Sequence, residues 1–255
     1  ILAPLIGSAL IVPFGWRSVF VGITIIAILA LLLVAFLQPE TRPPEDRIKI
    51  SFGALMDGFG RLLRDPYFLG LTFIGALGMS SFFSFLAGSS FVYIEHFGLT
   101  PTEYSVAFGV NAIGFIGASQ FAAKLGMRFG MGRVVTIATL AYMTFSVALF
   151  GVTAVGVDSL PVMMVLIFVA FAFMGLVIPT TMVMALEDHG PIAGMAAALG
   201  GTLQMMTGAV VVGIVGIFSD NTPLPMVTAI AASSAGAFAL AYFTLGRGRS
   251  VQPQN

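Results

Sequence analysis

Two neutral amides stand near the middle of long apolar runs, Asn111 within residues 105–123 and Gln204 within residues 192–218. An amide in a hydrocarbon setting needs a hydrogen-bond partner. Each therefore either ties its helix to a neighbour or meets a polar group on a substrate. Gly114 and Ala118 share a helical stripe with Asn111, and Gly200, Gly201, Thr207 and Gly208 recur around Gln204 at about one-turn spacing. That spacing also suits close helix packing. Gln120 is half a turn out of phase with Asn111 and belongs near an interface. Met205 and Met206 flank Gln204, and Met163, Met164, Met174, Met182, Met184 and Met195 gather in the same part of the chain. Unbranched thioethers repack around varied partners, though most of these also serve as core filler. Ser81 and Ser84 are candidate hydroxyls in a run where Ser80, Ser89 and Ser90 alternate with Phe82, Phe83 and Phe85, whose rings are expected to face lipid. Asn111, Gln204, Met205, Ser81 and Ser84 are thus the candidate lining of a cavity.

The rest of the inventory excludes most chemistry. No Asp, Glu, His, Lys or Arg lies in the middle of a complete apolar run. An ionisable group there would mark an ion or proton path, so no proton relay is expected within these residues. Glu187, Asp188 and His189 are consecutive, and three consecutive residues do not converge well on one metal ion; no metal site is expected. The 255 residues contain no cysteine, which removes disulfides, thiolate metal ligands and thiol catalysis. No nucleophile–base pair or phosphate loop is present. A net charge of zero gives no footing for nucleic acid.

The elements that hold these residues are membrane helices. Hydrophobic residues make up 58% of the chain and charged residues 9%, against roughly 25% charged in soluble domains; mean hydropathy is +1.03. A helix needs about 20 residues to cross a bilayer. The runs 18–37, 68–93, 105–123, 134–155, 162–186, 192–218 and 224–245 meet that length, while 1–14 is too short and reads as the end of a truncated span. Ile1 is expected to be an arbitrary start inside a longer protein. Alternating ten-residue strands of a barrel are missing, so the predicted fold is an all-α polytopic bundle.

Charge sorts the gaps by side. Ten of the eleven Lys and Arg residues fall in every second gap: Arg42, Arg47, Lys49, Arg61 and Arg64; then Lys124, Arg128 and Arg133; then Arg247 and Arg249. Glu95, Glu103, Asp158 and Asp220 occupy the others, with Arg17 the one exception. Basic gaps stay in the cytoplasm, which predicts a cytoplasmic C-terminus. The long gap 38–66 opens with Pro43 and Pro44, which break helix. Beyond them Phe52, Leu55, Met56, Phe59, Leu62 and Leu63 recur at helical spacing after Ser51, a candidate N-cap. This predicts a short amphipathic linker helix at the interface. Pro66, Pro161 and Pro191 suit span beginnings, and Pro179 predicts a kink. The expected organisation is 1–37 as the end of one bundle, 38–66 as linker, 67–246 as a six-helix bundle and 247–255 as tail.

The layout resembles the major facilitator superfamily, whose two six-helix halves are joined by a long cytoplasmic loop. Ala3-Pro4-Leu5-Ile6-Gly7-Ser8 is similar to the Pro/Gly motif of the fifth helix of drug:proton antiporters, with Ser8 in place of a second Gly. Gly15-Trp16-Arg17-Ser18 resembles the turn that follows it. The stretch 185–194, Ala-Leu-Glu-Asp-His-Gly-Pro-Ile-Ala-Gly, with Gly200-Gly201-Thr202-Leu203-Gln204 beyond it, resembles the tenth-to-eleventh helix junction of the Bcr/CflA drug-resistance group. Lys124 to Arg133 is similar to the family's degenerate basic loop between the eighth and ninth helices. The resemblance implies the C-terminal half of the fold, preceded by the end of the fifth helix and the whole sixth. It also implies drug export across a bacterial inner membrane driven by protons, with no cofactor and with the N-terminal half as partner. Pro4, Gly7, Arg17, Lys124, Arg128, Arg133 and Pro179 are the implied motif and gating residues. Sugar or metabolite export is the alternative within the family. A seven-helix receptor or retinal protein fits poorly, because the only lysines, Lys49 and Lys124, lie in gaps.

Overall fold

A computed structural model describes residues 3–37, 52–218 and 222–246. Arg42, Arg47, Lys49, Ser51, Asp220, Arg247 and Arg249, with Pro43 and Pro44, lie outside the described residues. The described chain is helical and contains no strand. Seven of its helices are long and apolar enough to cross a membrane. The chain divides into two compact units, Ile1–Ala54 and Leu55–Asn255.

The first unit holds α1 (Ala3–Phe14) and α2 (Arg17–Leu37). Their tight turn depends on Gly15, whose φ of +75° lies in the left-handed region that a side chain disfavours. The Ser18 hydroxyl donates to the carbonyls of Leu10 (3.1 Å) and Gly15 (2.6 Å), which fixes the entry into α2. The Arg17 guanidinium lies 4.7 Å from the Trp16 ring centroid, so the Gly-Trp-Arg turn has a cation–π contact at its apex.

The second unit contains most of α3 (Phe52–Arg64), then α4 (Pro66–Ser90), α5 (Pro101–Ser119), α6 (Ala122–Phe129), α7 (Met131–Ala154), α8 (Leu160–Glu187), α9 (Ala193–Ile217) and α10 (Leu224–Leu245). At its centre α4 packs on α8, α9 and α10; α7 closes the back between α8 and α10, and α5 lies along α8. Lipid tails are as apolar as Leu, so close van der Waals approach at small residues holds such helices together. A β-carbon at Gly175 of α8 would collide with the Phe115 carbonyl of α5, and one at Gly208 of α9 would meet the Phe83 ring of α4. Hydroxyls add polar ties: Tyr142 of α7 donates to the Ser81 hydroxyl of α4, which reaches the Ile230 carbonyl of α10 at 3.5 Å.

Several boundaries differ from expectation for local physical reasons. α5 starts at Pro101 rather than residue 105, because Thr100 and Glu103 form a capping box: Thr100 Oγ1 accepts from the Glu103 amide at 3.3 Å and the Glu103 carboxylate accepts from the Thr100 amide at 2.8 Å. It ends at Ser119 rather than residue 123. The basic gap after it is not a loop. Lys124 and Arg128 ride on α6, and Arg133 is in the first turn of α7. The helices α6 and α7 meet at Gly130, with φ of +88°. α4 continues into a π-helical turn, Phe91–His96, which nothing in the apolar pattern announces. α3 is amphipathic as expected, and from Leu55 onward it docks on its own unit: Leu62 is fully buried and the Met195 side chain lies against Gly58. α8 runs unbroken through Pro179. The Phe85 ring is buried among Tyr93, Phe108 and Phe171 rather than facing lipid.

Candidate functional site: a neutral notch on α4, α8 and α9

Gly200, Gln204 and Gly208 follow one another at four-residue spacing on α9, and all three meet α4. Gly200 lies by Thr72, 3.8 Å from its Oγ1 to the position a β-carbon would take, and Gly208 lies by Phe83. Between them the Gln204 amide rests over Gly75, its Nε2 3.1 Å from where a β-carbon would stand. Thr181 of α8 brackets the same spot, with Oγ1 at 3.2 Å. Gly75 therefore makes the room in which the three helices converge. Thr181 is buried and donates to the Val177 and Ile178 carbonyls, both at 3.0 Å. Gln204 is half-buried, and its amide makes no hydrogen bond among the described residues. As the twelfth residue of α9, it lies about 17 Å along the axis from the helix start, near the middle of a core roughly 30 Å thick. An amide at this depth offers a donor and an acceptor to a neutral or cationic guest.

Met205 is 54% exposed and lies about 100° round α9 from Gln204. Met206 is turned about a further 100° round the helix, so the two methionines do not flank Gln204 together. Met163, Met174 and Met184 are buried core residues.

The other expected lining residues are elsewhere. Ser81 and Ser84 have no exposed surface; Ser81 links α7 and α10 as described, and Ser84 donates to the Ser80 carbonyl at 2.9 Å. Asn111 is 2% exposed on α5. Its Nδ2 donates to the Ala107 carbonyl at 3.2 Å, while Oδ1 has no hydrogen-bond partner. The Tyr93 hydroxyl, also buried, is its neighbour. Asn111 and Gln204 thus belong to separate places in the bundle. Of the motif residues, Pro4 and Gly7 lie on α1, Arg17 at the start of α2, and Pro179 beside Thr180 in α8.

Both histidines pair with aspartates far along the chain. His96 Nε2 lies 2.8 Å from Asp158 Oδ1, joining the π-helical turn to the α7–α8 connection. His189 Nε2 lies 3.2 Å from Asp65 Oδ2 at the opposite, basic end. Neither pair gains a third acidic or imidazole ligand, and no metal-holding group of such side chains occurs among the described residues.

The seven helices among the described residues that are long and apolar enough to cross a membrane mark a multi-pass membrane protein. Residues 1–212 match the model of the Major Facilitator Superfamily, and the chain belongs to that superfamily of transporters rather than to an enzyme family. Over 98% of its length it is 32% identical to the MFS-type transporter YdgK of Bacillus subtilis (strain 168), of which it covers 62%. It is 26% identical, over 97% of its length, to a bicyclomycin resistance protein homolog of Haemophilus influenzae, again covering 62%. With the chloramphenicol resistance protein CraA of Acinetobacter baumannii it shares 25% identity over 54% of this chain and 33% of that protein. The chain therefore spans about three-fifths of the length of the first two relatives.

Proposed function

We propose that this chain is part of a secondary active transporter that exports drug-like small molecules, with protons moving inward in exchange. The reading rests above all on the Gln204 amide, unpaired among the described residues and half-exposed near mid-depth over Gly75. A site without fixed charge, with the exposed thioether of Met205 on the neighbouring face of α9, suits guests of varied shape. The drug-resistance names of the relatives support the same substrate class.

In this mechanism the bundle from α4 to α10 rocks against an N-terminal half of the same protein, opening the notch to each side of the membrane in turn. The ionisable group that couples protons resides outside these residues, since no mid-span position here carries one. The membrane is a bacterial inner membrane, and the basic end, with the C-terminus, faces the cytoplasm. Expression of the full-length protein in efflux-deficient cells tests the reading. Lower accumulation of a cationic dye, restored when the proton gradient is collapsed, is the expected result. Unchanged accumulation across a panel of drugs and dyes contradicts it.

A further inference from the structure

We infer that the notch selects guests that carry a hydrogen-bond donor, above all a protonated amine, because the Gln204 carboxamide turns its nitrogen inward to Thr181 and presents its oxygen to the open side. The inference rests on the proposed transport role of this notch and names the chemistry it recognises.

The two ends of an amide are told apart by the groups they meet. Thr181 Oγ1 and Gln204 Nε2 lie 3.2 and 3.1 Å from the same point, where a β-carbon on Gly75 would stand. The Thr181 proton is already committed, since Oγ1 donates to the Val177 and Ile178 carbonyls of its own helix, both at 3.0 Å. A hydroxyl has one proton, so toward the notch Thr181 shows only lone pairs. The nitrogen end of the amide suits that neighbour; the reverse orientation would turn two acceptors to one point. Oε1 is then the atom directed away from Gly75, and even the amide carbon lies farther from the β-carbon position than Nε2, at 3.8 Å. Gly75 and Thr181 are buried, whereas Gln204 is half-buried. Among the described residues, the buried side-chain atoms without a partner include Asn111 Oδ1 and Ser146 Oγ but neither amide atom of Gln204. The unpaired Oε1 therefore keeps contact with open space.

An acceptor at mid-depth is costly to leave without a donor. A guest with an N–H or O–H supplies one, and a protonated amine makes the stronger, charge-assisted bond. No fixed cation opposes it: α4 and α9 carry no charged residue, and α8 carries one at its last position, Glu187. Gly75 and Thr181 act through Gln204 as positioning residues. The glycine leaves room for the amide nitrogen, and the committed hydroxyl decides which way round the amide sits.

The test compares chlorpromazine, whose dimethylamino group is protonated at neutral pH, with its N-methyl quaternary salt, which keeps the charge and loses the N–H. Each is titrated calorimetrically into the purified full-length transporter in detergent, with empty micelles as the blank. A hydrogen bond from a charged donor predicts a Kd about 10-fold lower for the tertiary amine. Gln204→Leu, of similar bulk but without the amide, should abolish that preference. Thr181→Val, which keeps the shape and removes the hydroxyl, should weaken it, and Thr181→Ser should retain it. The preference compares two guests in one protein, so a general loss of folded material does not move it. Equal Kd values overturn the inference, as do binding of neither compound, a preference that survives Gln204→Leu and one indifferent to Thr181→Val. Binding in detergent needs no proton gradient. Equal Kd values in a transporter that lowers dye accumulation therefore sink this inference and leave export standing, while the expected preference in a protein that exports nothing upholds the recognition and refutes export.

Discussion

Asp65 and His189 join two helix ends that lie far apart in sequence, with Oδ2 3.2 Å from Nε2. The other carboxylate oxygen, Oδ1, accepts from the amides of Tyr67 at 2.8 Å and Phe68 at 3.3 Å and so caps α4. The imidazole is held in turn by its Nδ1, which donates to the Ala185 carbonyl at 3.0 Å, and by an edge contact with Phe68. One carboxylate thus starts α4 and staples it to the α8–α9 junction.

Because the cap and the staple use different oxygens, two substitutions separate them. Asp65→Ala removes both and is expected to destabilise the full-length protein by about 1–2 kcal/mol. Asp65→Asn keeps an oxygen for the cap and should lose less than half of that. Thermal unfolding in mild detergent gives the comparison; equal losses would show that the cap contributes nothing.

The approach of α5 to α8 sets a second expectation. Gly175→Ala drives a methyl into the Phe115 carbonyl, a backbone atom that cannot rotate away. Overpacking of this kind costs about 1–3 kcal/mol. Gly208→Ala meets the Phe83 ring, which can swing aside, so it should be the milder change. Melting temperatures in the reverse order would contradict the packing described for α5.

Gln204 should behave differently from both. Its amide has no partner to lose among the described residues, so Gln204→Ala is expected to leave stability within about 0.5 kcal/mol. Transport of a substrate that hydrogen-bonds the amide should fall about 2- to 10-fold, the worth of one such bond. A drop in stability with no change in substrate profile would assign Gln204 to packing alone.

Much of this architecture is legible along the chain because bilayer thickness acts on each helix separately. About twenty apolar residues read as a span wherever they pack, and Pro66 at the first position of α4 follows from its missing N–H. The capping box of Thr100 and Glu103 is also written there, but apolar run length alone places the start of α5 too late. The basic residues mark one end of the bundle, yet charge says nothing of backbone shape, so α6 is hidden inside a gap. What a side chain faces is harder to read. Ser81 and Ser84 look like cavity hydroxyls by type and spacing, but a helix surrounded on several sides buries polar and apolar stripes alike. The two His–Asp pairs depend on which ends meet in three dimensions, and no local pattern encodes that.

The accessibility of residue 204 in the full-length transporter is the most direct test of a notch that meets substrate. These 255 residues contain no cysteine, so Gln204→Cys adds a reporter to a blank stretch, with Ser84→Cys as the buried control. A water-soluble thiol reagent is expected to label position 204, a transported drug to slow the labelling, and position 84 to stay unlabelled. A residue 204 that is inert in every state, with or without substrate, would contradict the substrate-facing role.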